Sequence, residues 1–361
     1  MWHYWLLFVV SVWMALRRLR TINSSENSNT NWSVEWIICF LTIGVGIGLR
    51  HEVGADWFIY QNVFESEIGA SLKEYLATPL DPAYAFLSWV SGNIFGSIYF
   101  VNLICGLIFS WGLVEFCRSQ PRPWLALLVA VPYLVTVVAM GYTRQGVAIG
   151  VAMLAMSSLI RGNLWRFLLW MSLAMTFHKS AIVLIPFAFF SISHNSLLSV
   201  AIVFCSIAVL FLLMVQEALP FLITGYIESE YESAGASLRV GMNALPAMLF
   251  LLFRKRFLLS ELEKKFWTMI SFSGLLFIFL LFLVPQSSTA IDRLALYWIP
   301  LQIFVWSRLP SALGESPTSK RRWVLLVVVY CFIVYFVWLN FSIHSEYWIP
   351  YQFYPWKWLW S

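Results

Sequence analysis

Residues 320–340 read KRRWVLLVVVYCFIVYFVWLN. Residues 323–340 carry no charge, and the three residues before them are basic. An apolar helix of about 20 residues crosses roughly 30 Å of hydrocarbon, and Lys and Arg beside a span favour the cytoplasmic side. The pattern therefore predicts a transmembrane helix that leaves the cytoplasm at Trp323.

The rest of the chain has the same character. Of its 361 residues, 60% are hydrophobic and 11% are charged, and the mean hydropathy is +0.76, whereas a soluble domain carries roughly 25% charged residues. The formal net charge is +5, but the basic residues form short clusters between apolar runs, which indicates topology and excludes a nucleic-acid partner. The five cysteines lie in or beside apolar segments without paired spacing, so neither a disulfide framework nor a zinc site is expected.

Apolar runs alternate with basic clusters along the whole chain. This predicts one all-α integral membrane domain, residues 1–361, with about twelve transmembrane helices and both termini on the periplasmic face of a bacterial inner membrane. Residues 164–192 are divided into two short helices meeting at 177–180, because one helix would place the basic cluster 254–265 outside. Outer loops are expected at 50–97, with a half-inserted helix in DPAYAFLSWVSGNIFG, and at 216–239. The other spans are predicted at 2–16, 34–49, 98–116, 124–140, 142–160, 198–215, 240–253, 266–284, 294–306 and 323–340.

Several basic residues at the predicted outer ends of spans break the inside-positive pattern. Each one alone is explained equally well by a role in a binding site and by a role at the membrane surface, as an interfacial anchor or a contact to a lipid phosphate. Together they favour one anionic ligand, such as a diphosphate, held by charge-assisted hydrogen bonds worth roughly 1.5–3 kcal/mol each. The basic members are Arg50, Arg144, Lys179, Arg239 and Arg293, and their acidic and polar neighbours are Glu52, Asp56, Gln145, His178 and Asp292.

Six short motifs follow one another in a distinctive order. They are RHEVGADWFIYQNVFE (50–65), DPAYAFL (81–87), GYTRQGVAIG (141–150), LAMTFHKSAIVLIPF (173–187), AIDRLALYW (290–298) and IPYQF (349–353). Their order and spacing resemble the EpsG family of Wzy-like exopolysaccharide and O-antigen polymerases.

The resemblance implies a fold and an activity. The fold is a GT-C-like polymerase or ligase architecture with an active-site cavity that faces the periplasm. The activity is a glycosyltransferase of lipopolysaccharide or other polysaccharide biosynthesis, without a metal or other cofactor. The growing glycan leaves its undecaprenyl diphosphate and joins an incoming lipid-linked repeat unit. Membrane lipid surrounds the enzyme, and a chain-length regulator and a flippase of the same pathway are expected partners.

Within this expectation the arginines bind the diphosphate. Arg144 is predicted as a ligand with Gln145 as its polar partner, and the G-x-x-x-G pair at 146–150 indicates close helix packing beside them. In the simplest interpretation Asp292 caps the start of a helix, which leaves Arg293 to bind the ligand.

Three residues compete for the role of general base. His178 can accept a proton near neutral pH, although a lone histidine in an apolar stretch is commonly a hydrogen-bonded core residue. Asp56 and Glu52 can take the proton or bind sugar hydroxyls, or they belong to an ordinary loop. Trp57 and Tyr60 offer faces for a pyranose ring or lie at the membrane interface.

Two other functions remain open. A lipid-linked oligosaccharide flippase or other transporter predicts charges at mid-depth and a repeat of broken helices, whereas here the charges concentrate at one face and no repeat is found. An O-antigen ligase uses similar chemistry with a different acceptor, and only the order of the motifs argues against it. The acidic run 228–232 before Arg239 is expected to be a solvated lid and not a metal site.

Overall fold

A computed structural model describes residues 1–17, 32–78, 80–188 and 235–360, with the single residues 201 and 205. The predicted span 198–215 and the acidic run 228–232 lie outside the described residues. In the described ranges the chain is helical, and the α-helices are numbered here in chain order. They are α1 Trp2–Arg17, α2 Val34–Gly48, α3 Trp57–Ser66, α4 Leu72–Ala77, α5 Pro82–Ile94, α6 Ile98–Arg118, α7 Pro123–Ala130, α8 Thr143–Ile160, α9 Leu164–Phe177, α10 Ala236–Phe253, α11 Glu261–Leu283, α12 Ser288–Ala295, α13 Ile299–Leu313, α14 Pro317–Phe341 and α15 Tyr354–Trp360.

Five of these helices are long and apolar enough to cross a membrane: α6, α8, α10 with the turn that follows it, α11 and α14. Shorter apolar helices accompany them at Val34–Gly48, Pro123–Ala139, Leu164–Phe177 and Lys179–Ala188. The chain is therefore a polytopic, all-helical membrane protein, as its composition predicts. The number of twelve spans and the GT-C-like architecture stay predictions.

Glycines bring α2, α6 and α8 close together. A Cβ on Gly112 of α6 would lie 2.0 Å from the carbonyl oxygen of Gly150 on α8, and one on Gly106 would lie 2.4 Å from the carbonyl oxygen of Gly44 on α2. Only a residue without a side chain permits these backbone contacts. The prediction that the glycines of 146–150 serve close packing is confirmed at Gly150.

A fully buried helix crosses the centre of the bundle. α7 continues into a π-helix at Val131–Ala139, and every residue of this π-helix is buried. Pro132 lies at the start of the π-helix, where its missing N–H interrupts the α-helical hydrogen-bond ladder. α1 and α13 pack against α7, so the core of the protein surrounds this element.

The chain breaks at His178, as predicted. α9 ends at Phe177, His178 is extended with φ −159°, and a 3-10 helix follows at Lys179–Ala188. The break exposes the backbone N–H of Lys179 at the end of the bundle instead of using it inside a helix.

The predicted outer loop 50–97 is largely helical, because it contains α3, α4 and α5. It begins with a tight turn at Gly54, whose φ is +107°, and a Cβ there would lie 2.2 Å from the carbonyl oxygen of Met140. The C-terminal IPYQF motif covers this turn: the His51 N–H donates to the Gln352 carbonyl at 3.0 Å, and the Tyr354 N–H donates to the Leu49 carbonyl at 2.9 Å.

Candidate functional site

The first turn of α8, the end of α9 and the start of α5 meet at Asp81. Its carboxylate accepts hydrogen bonds from Arg144 Nη1 at 2.8 Å, from His178 Nδ1 at 3.4 Å and from the Lys179 N–H at 3.1 Å. Three of the sequence motifs therefore converge on one carboxylate. We call this end of the bundle the site end.

Asp81 is a site residue that the sequence analysis did not assign. An Asp-Pro pair before an apolar run is an ordinary start of a helix, and Asp81 does occupy the N-cap position of α5, but its side chain makes no capping hydrogen bond. Burial acts to raise the pKa of the Asp81 carboxyl, but the hydrogen bond and charge of His178, the charge of Arg144 and the Lys179 N–H together lower it below its ordinary value. Asp81 is thus held as an anion between these donors.

Arg144 connects Asp81 to a second carboxylate through Tyr60. Arg144 Nε donates to the Tyr60 hydroxyl at 3.3 Å, and the guanidinium lies 5.4 Å from the centre of the Tyr60 ring. The Tyr60 hydroxyl in turn donates to Asp56 at 3.4 Å. The Arg144 side chain stays 24% exposed, so it remains accessible at the site end.

Asp56 faces two cations in a buried setting. Burial raises the pKa of the Asp56 carboxyl above its ordinary value, and the opposing charges of Arg293 and Arg144 do not fully offset this effect. The half-buried Asp56 carboxyl is linked to Arg144 through the Tyr60 hydroxyl. An acid in this setting can hold a sugar hydroxyl or accept a proton.

Arg293 is held in place through its backbone and an aromatic ring. Its guanidinium lies 4.4 Å from the centre of the Tyr142 ring, and its carbonyl accepts a hydrogen bond from Gln145 Nε2 at 2.6 Å. Within the described ranges the Arg293 guanidinium has no protein hydrogen-bond partner. Gln145, predicted as a ligand partner, instead positions Arg293.

Arg239 and Asp292 form a bidentate ion pair. The Arg239 Nε and Nη2 atoms donate to the two carboxylate oxygens of Asp292, each at 2.7 Å. The prediction that Asp292 caps a helix is wrong, because α12 begins at Ser288 after the N-cap residue Ser287 and Asp292 lies inside the helix. The Asp292 carboxylate binds Arg239 of α10 instead of a backbone N–H at the start of α12.

Tyr142 links these groups into one cluster. Burial raises the pKa of the Tyr142 hydroxyl, while the charges of Arg293 and Arg239 act to lower it and those of Asp56 and Asp292 add to the rise. The Tyr142 ring lies 4.4 Å from the Arg293 guanidinium, Asp292 beside Arg293 is held by Arg239, and Gln145 beside Arg144 donates to the Arg293 carbonyl. The structure therefore gathers Arg144, Arg239 and Arg293 around the two carboxylates. We call Arg144, Arg239, Arg293, Asp56, Asp81 and His178 the charged cluster.

Arg50 differs from the prediction. It is 1% exposed, and it donates to the carbonyls of Ile47 at 2.6 Å and Val53 at 3.0 Å and to the Thr143 hydroxyl at 2.7 Å. A guanidinium enclosed in this way ties the Gly54 turn to the start of α8 and has no open surface for a diphosphate.

The aromatic residues Trp57 and Tyr60 are also placed differently. Trp57 is 2% exposed and packs under Arg50, whose guanidinium lies 5.5 Å from the centre of its ring. Tyr60 is 7% exposed, with Arg144 over its ring and the Tyr84 ring 5.3 Å away. Neither ring offers a face for stacking with a pyranose, because other side chains of the protein cover both rings.

The remaining predicted residues lie at the edge of the charged cluster. Glu52 has a left-handed backbone, φ 51°, and its carboxylate pairs with His51 at 3.3 Å and Lys357 at 3.9 Å, beside the C-terminal segment. The Glu52 carboxylate therefore contacts His51 and Lys357 and not the arginines of the charged cluster. Lys179 contributes its N–H to Asp81, and its side chain is exposed. Across the described part of the chain, no group of three or more His, Cys, Asp or Glu could hold a metal ion.

The fold and this cluster define a class: a polytopic membrane protein with a charged site at one end of its helices. The chain belongs to the EpsG family, whose model matches residues 34–353. The match includes every residue of the charged cluster. Membership suggests a polymerase-type function in exopolysaccharide or O-antigen synthesis. No curated protein and no solved structure matches the chain.

Proposed function

We propose that the protein is a polysaccharide polymerase that transfers a glycan from undecaprenyl diphosphate to an incoming lipid-linked repeat unit on the periplasmic side of the inner membrane. The observation that carries the proposal is the convergence of Arg144, Arg239 and Arg293, from three distant parts of the chain, beside the carboxylates of Asp81 and Asp292 at one end of the bundle. Family membership supports the same reaction class.

The arginines serve the leaving group. As the bond between the anomeric carbon and the diphosphate oxygen breaks, its electron pair passes to the diphosphate, and cationic donors stabilise the charge that develops there. Arg293 contributes first, since its guanidinium lies against the Tyr142 ring and has hydrogen-bonding capacity left. Arg144 and Arg239 add positive charge from the sides while they remain paired with Asp81 and Asp292.

His178 serves as the general base. An ionised Asp81 only accepts hydrogen bonds, so the proton between the two side chains is on His178 Nδ1, and Nε2 is left as the acceptor. As the sugar hydroxyl of the incoming repeat unit bonds to the anomeric carbon, its proton passes to Nε2. Asp81 is a positioning residue that fixes the tautomer of the imidazole. Asp56, close to Arg293 and Arg144, holds a sugar hydroxyl.

The position of the charges disfavours transport. Asp81, Arg144, His178 and Arg239 all lie at or within one turn of a helix end, whereas a transporter that alternates access places its binding groups near the midplane.

Reconstitution tests the proposal directly. The purified protein in liposomes is given a repeat unit on a polyprenyl diphosphate, and the products are separated on a gel. A ladder of two and more units is expected, together with released polyprenyl diphosphate. Transfer only to a lipid A acceptor would indicate a ligase. Movement of the substrate across the bilayer without new glycosidic bonds would indicate a flippase.

A strain test complements the reconstitution. Deletion of the gene should leave surface glycans with a single repeat unit, whereas loss of a flippase removes them altogether. Wild-type ladders in the deletion strain would contradict the proposed polymerase.

A further inference from the structure

A groove of about 580 Å³ lies between α10 and α14. Its walls are apolar: Leu238, Met242 and Leu245 come from α10, and Ile333 and Val337 come from α14, together with aromatic side chains of the same helix, Tyr330, Trp338 and Phe341. Leu238 and Ile333 are 64% and 53% exposed, so the groove is open along the side of the bundle. A long apolar chain can enter it from the bilayer without passing through water.

The polar residues of the groove gather at one end. Ser237 and Arg239 lie in the first turn of α10, and His344 follows the end of α14. Tyr133 lines the groove from inside the bundle, and its hydroxyl interacts electrostatically with Arg239 and Arg293. The polar end of the groove is therefore continuous with the charged cluster.

The length of the groove matches one leaflet. On α14 it extends from Tyr330 to Phe341, which is about 16 Å along a helix with a rise of 1.5 Å per residue. The hydrocarbon of a bilayer is roughly 30 Å thick. A lipid in the groove thus has its polar group at the site end and its apolar chain toward the bilayer midplane.

We propose that this groove holds the polyprenyl chain of the glycan donor, with the diphosphate beside Arg239 and Arg293. The inference rests on the proposed function, because it assigns the lipid half of the same substrate. The charge at the polar end suits a diphosphate, and the apolar walls suit the methyl-branched hydrocarbon of isoprene units.

Gly241 gives a substitution that fills the groove without disturbing the fold. It lines the groove, and a Cβ at this position would meet no atom within 4 Å. Gly241→Phe places a ring in the space of the polyprenyl chain. Leu252→Phe is the matched control, since Leu252 lies on the same helix, is 74% exposed and does not line the groove.

Reconstituted protein is assayed with one repeat unit on two carriers, a full-length polyprenyl diphosphate and a two-isoprene diphosphate. Gly241→Phe should lower the rate with the long carrier by about tenfold or more, because buried apolar contacts are lost. It should lower the rate with the short carrier by a smaller factor, because a two-isoprene chain makes fewer contacts in the groove, and Leu252→Phe should match the wild type with both carriers. Equal rates of Gly241→Phe and wild type with the long carrier would overturn the assignment of the groove.

Photo-crosslinking gives a readout that does not depend on catalysis. A polyprenyl diphosphate with a diazirine on its chain should label peptides of α10 and α14, less so in Gly241→Phe. Labelling by a diazirine phosphatidylglycerol that polyprenyl diphosphate does not displace would show a bilayer lipid in the groove and overturn the proposal. Absence of labelling by either probe would overturn it as well. Wild-type protein that is labelled but makes no polymer would contradict the polymerase function and not the groove.

Discussion

Two partly buried arginines lie at opposite ends of the bundle and differ in what they contact. Arg308 donates to Glu263 at 2.9 Å and to Gln120 at 3.2 Å, and it lies 4.7 Å from the centre of the Phe304 ring. Arg293 lies over a ring in the same way, yet its guanidinium has no hydrogen-bond partner in the described part of the protein. An arginine with complete hydrogen bonding holds helices together, whereas one with capacity left can bind a ligand.

The largest expected effect separates these two arginines. Arg293→Ala should reduce polymerisation at least about 100-fold, because a donor to the leaving group is lost, while the melting temperature stays near that of the wild type. Arg308→Ala should leave the rate per folded molecule unchanged and lower the free energy of unfolding by roughly 1–3 kcal/mol, because the half-buried Glu263 loses its charged hydrogen-bond partner. Rates per folded molecule and thermal melts in detergent measure both.

If the polymerisation rate per folded molecule fell as far in Arg308→Ala as in Arg293→Ala, the proposed difference between the two arginines would be wrong. Arg293→Lys sharpens it further, because the charge is kept while the planar fork of donors is lost.

The next largest effect concerns the pair of His178 and Asp81. His178→Ala should slow polymerisation by about 100-fold, because the general base is removed, and the loss of rate that is expected for the wild type at acidic pH should disappear. Asp81→Asn should lower the rate by a smaller factor, because the imidazole remains but its tautomer is no longer fixed.

The pH profile of the rate distinguishes catalysis from packing. A His178→Ala variant that keeps the acid limb of the wild-type profile would transfer the role of base to Asp56. His3→Ala, in α1 and outside both the charged cluster and the groove, is the control for removal of a histidine.

A smaller effect contrasts the two carboxyls of the charged cluster. Asp81 has a lowered pKa, so its ionised form stabilises the fold above the ordinary carboxyl pKa, and this stability is lost as the pH falls through the folded pKa. Asp56 has a raised pKa, so its ionisation costs stability at neutral pH, and the cost vanishes below the ordinary carboxyl pKa.

Asp81→Asn should therefore destabilise the protein at neutral pH by roughly 1.5–3 kcal/mol, the worth of a hydrogen bond to a charged group. Asp56→Asn should stabilise it slightly, and both differences should shrink toward pH 3. Thermal melts from pH 3 to 8 give the signs. Shifts of the same sign at neutral pH would contradict the opposite pKa directions.

The smallest effect belongs to an exposed ion pair. Arg256 and Glu315 lie 3.7 Å apart with side chains 54% and 87% exposed. Arg256→Ala should change stability by less than about 0.5 kcal/mol and leave polymerisation unchanged, because solvent screens such pairs. Any loss of polymer in this variant would show that charge in general, and not the charged cluster, controls the rate.

Part of the site could be predicted from local sequence. The break at His178 follows from the number of spans that the basic clusters allow, and the close packing at Gly150 follows from the spacing of small residues. Arg144 and Arg293 stand out because they interrupt apolar runs at helix ends. These signals involve neighbours in the chain, so the sequence shows them directly.

Other features depended on partners far away in the chain. Arg50, like Arg144, lies where a predicted span meets the outer face, yet the turn at Gly54 encloses it. Asp292 precedes an apolar run as a capping residue does, but Arg239, 53 positions earlier, occupies its carboxylate. The role of Asp81 required two partners that lie 63 and 97 positions away. No local pattern reports such separations.

The sequence by itself determined that this chain is a membrane protein made of apolar helices. The free energy of transferring each segment from water to the bilayer is a sum over the residues of that segment. Only the tertiary structure decided which charges pair and which stay available. That choice depends on how closely helices from distant parts of the chain approach, and buried charges gain or lose several kcal/mol over a few ångströms. Arg308 and Arg293 differ for this reason alone.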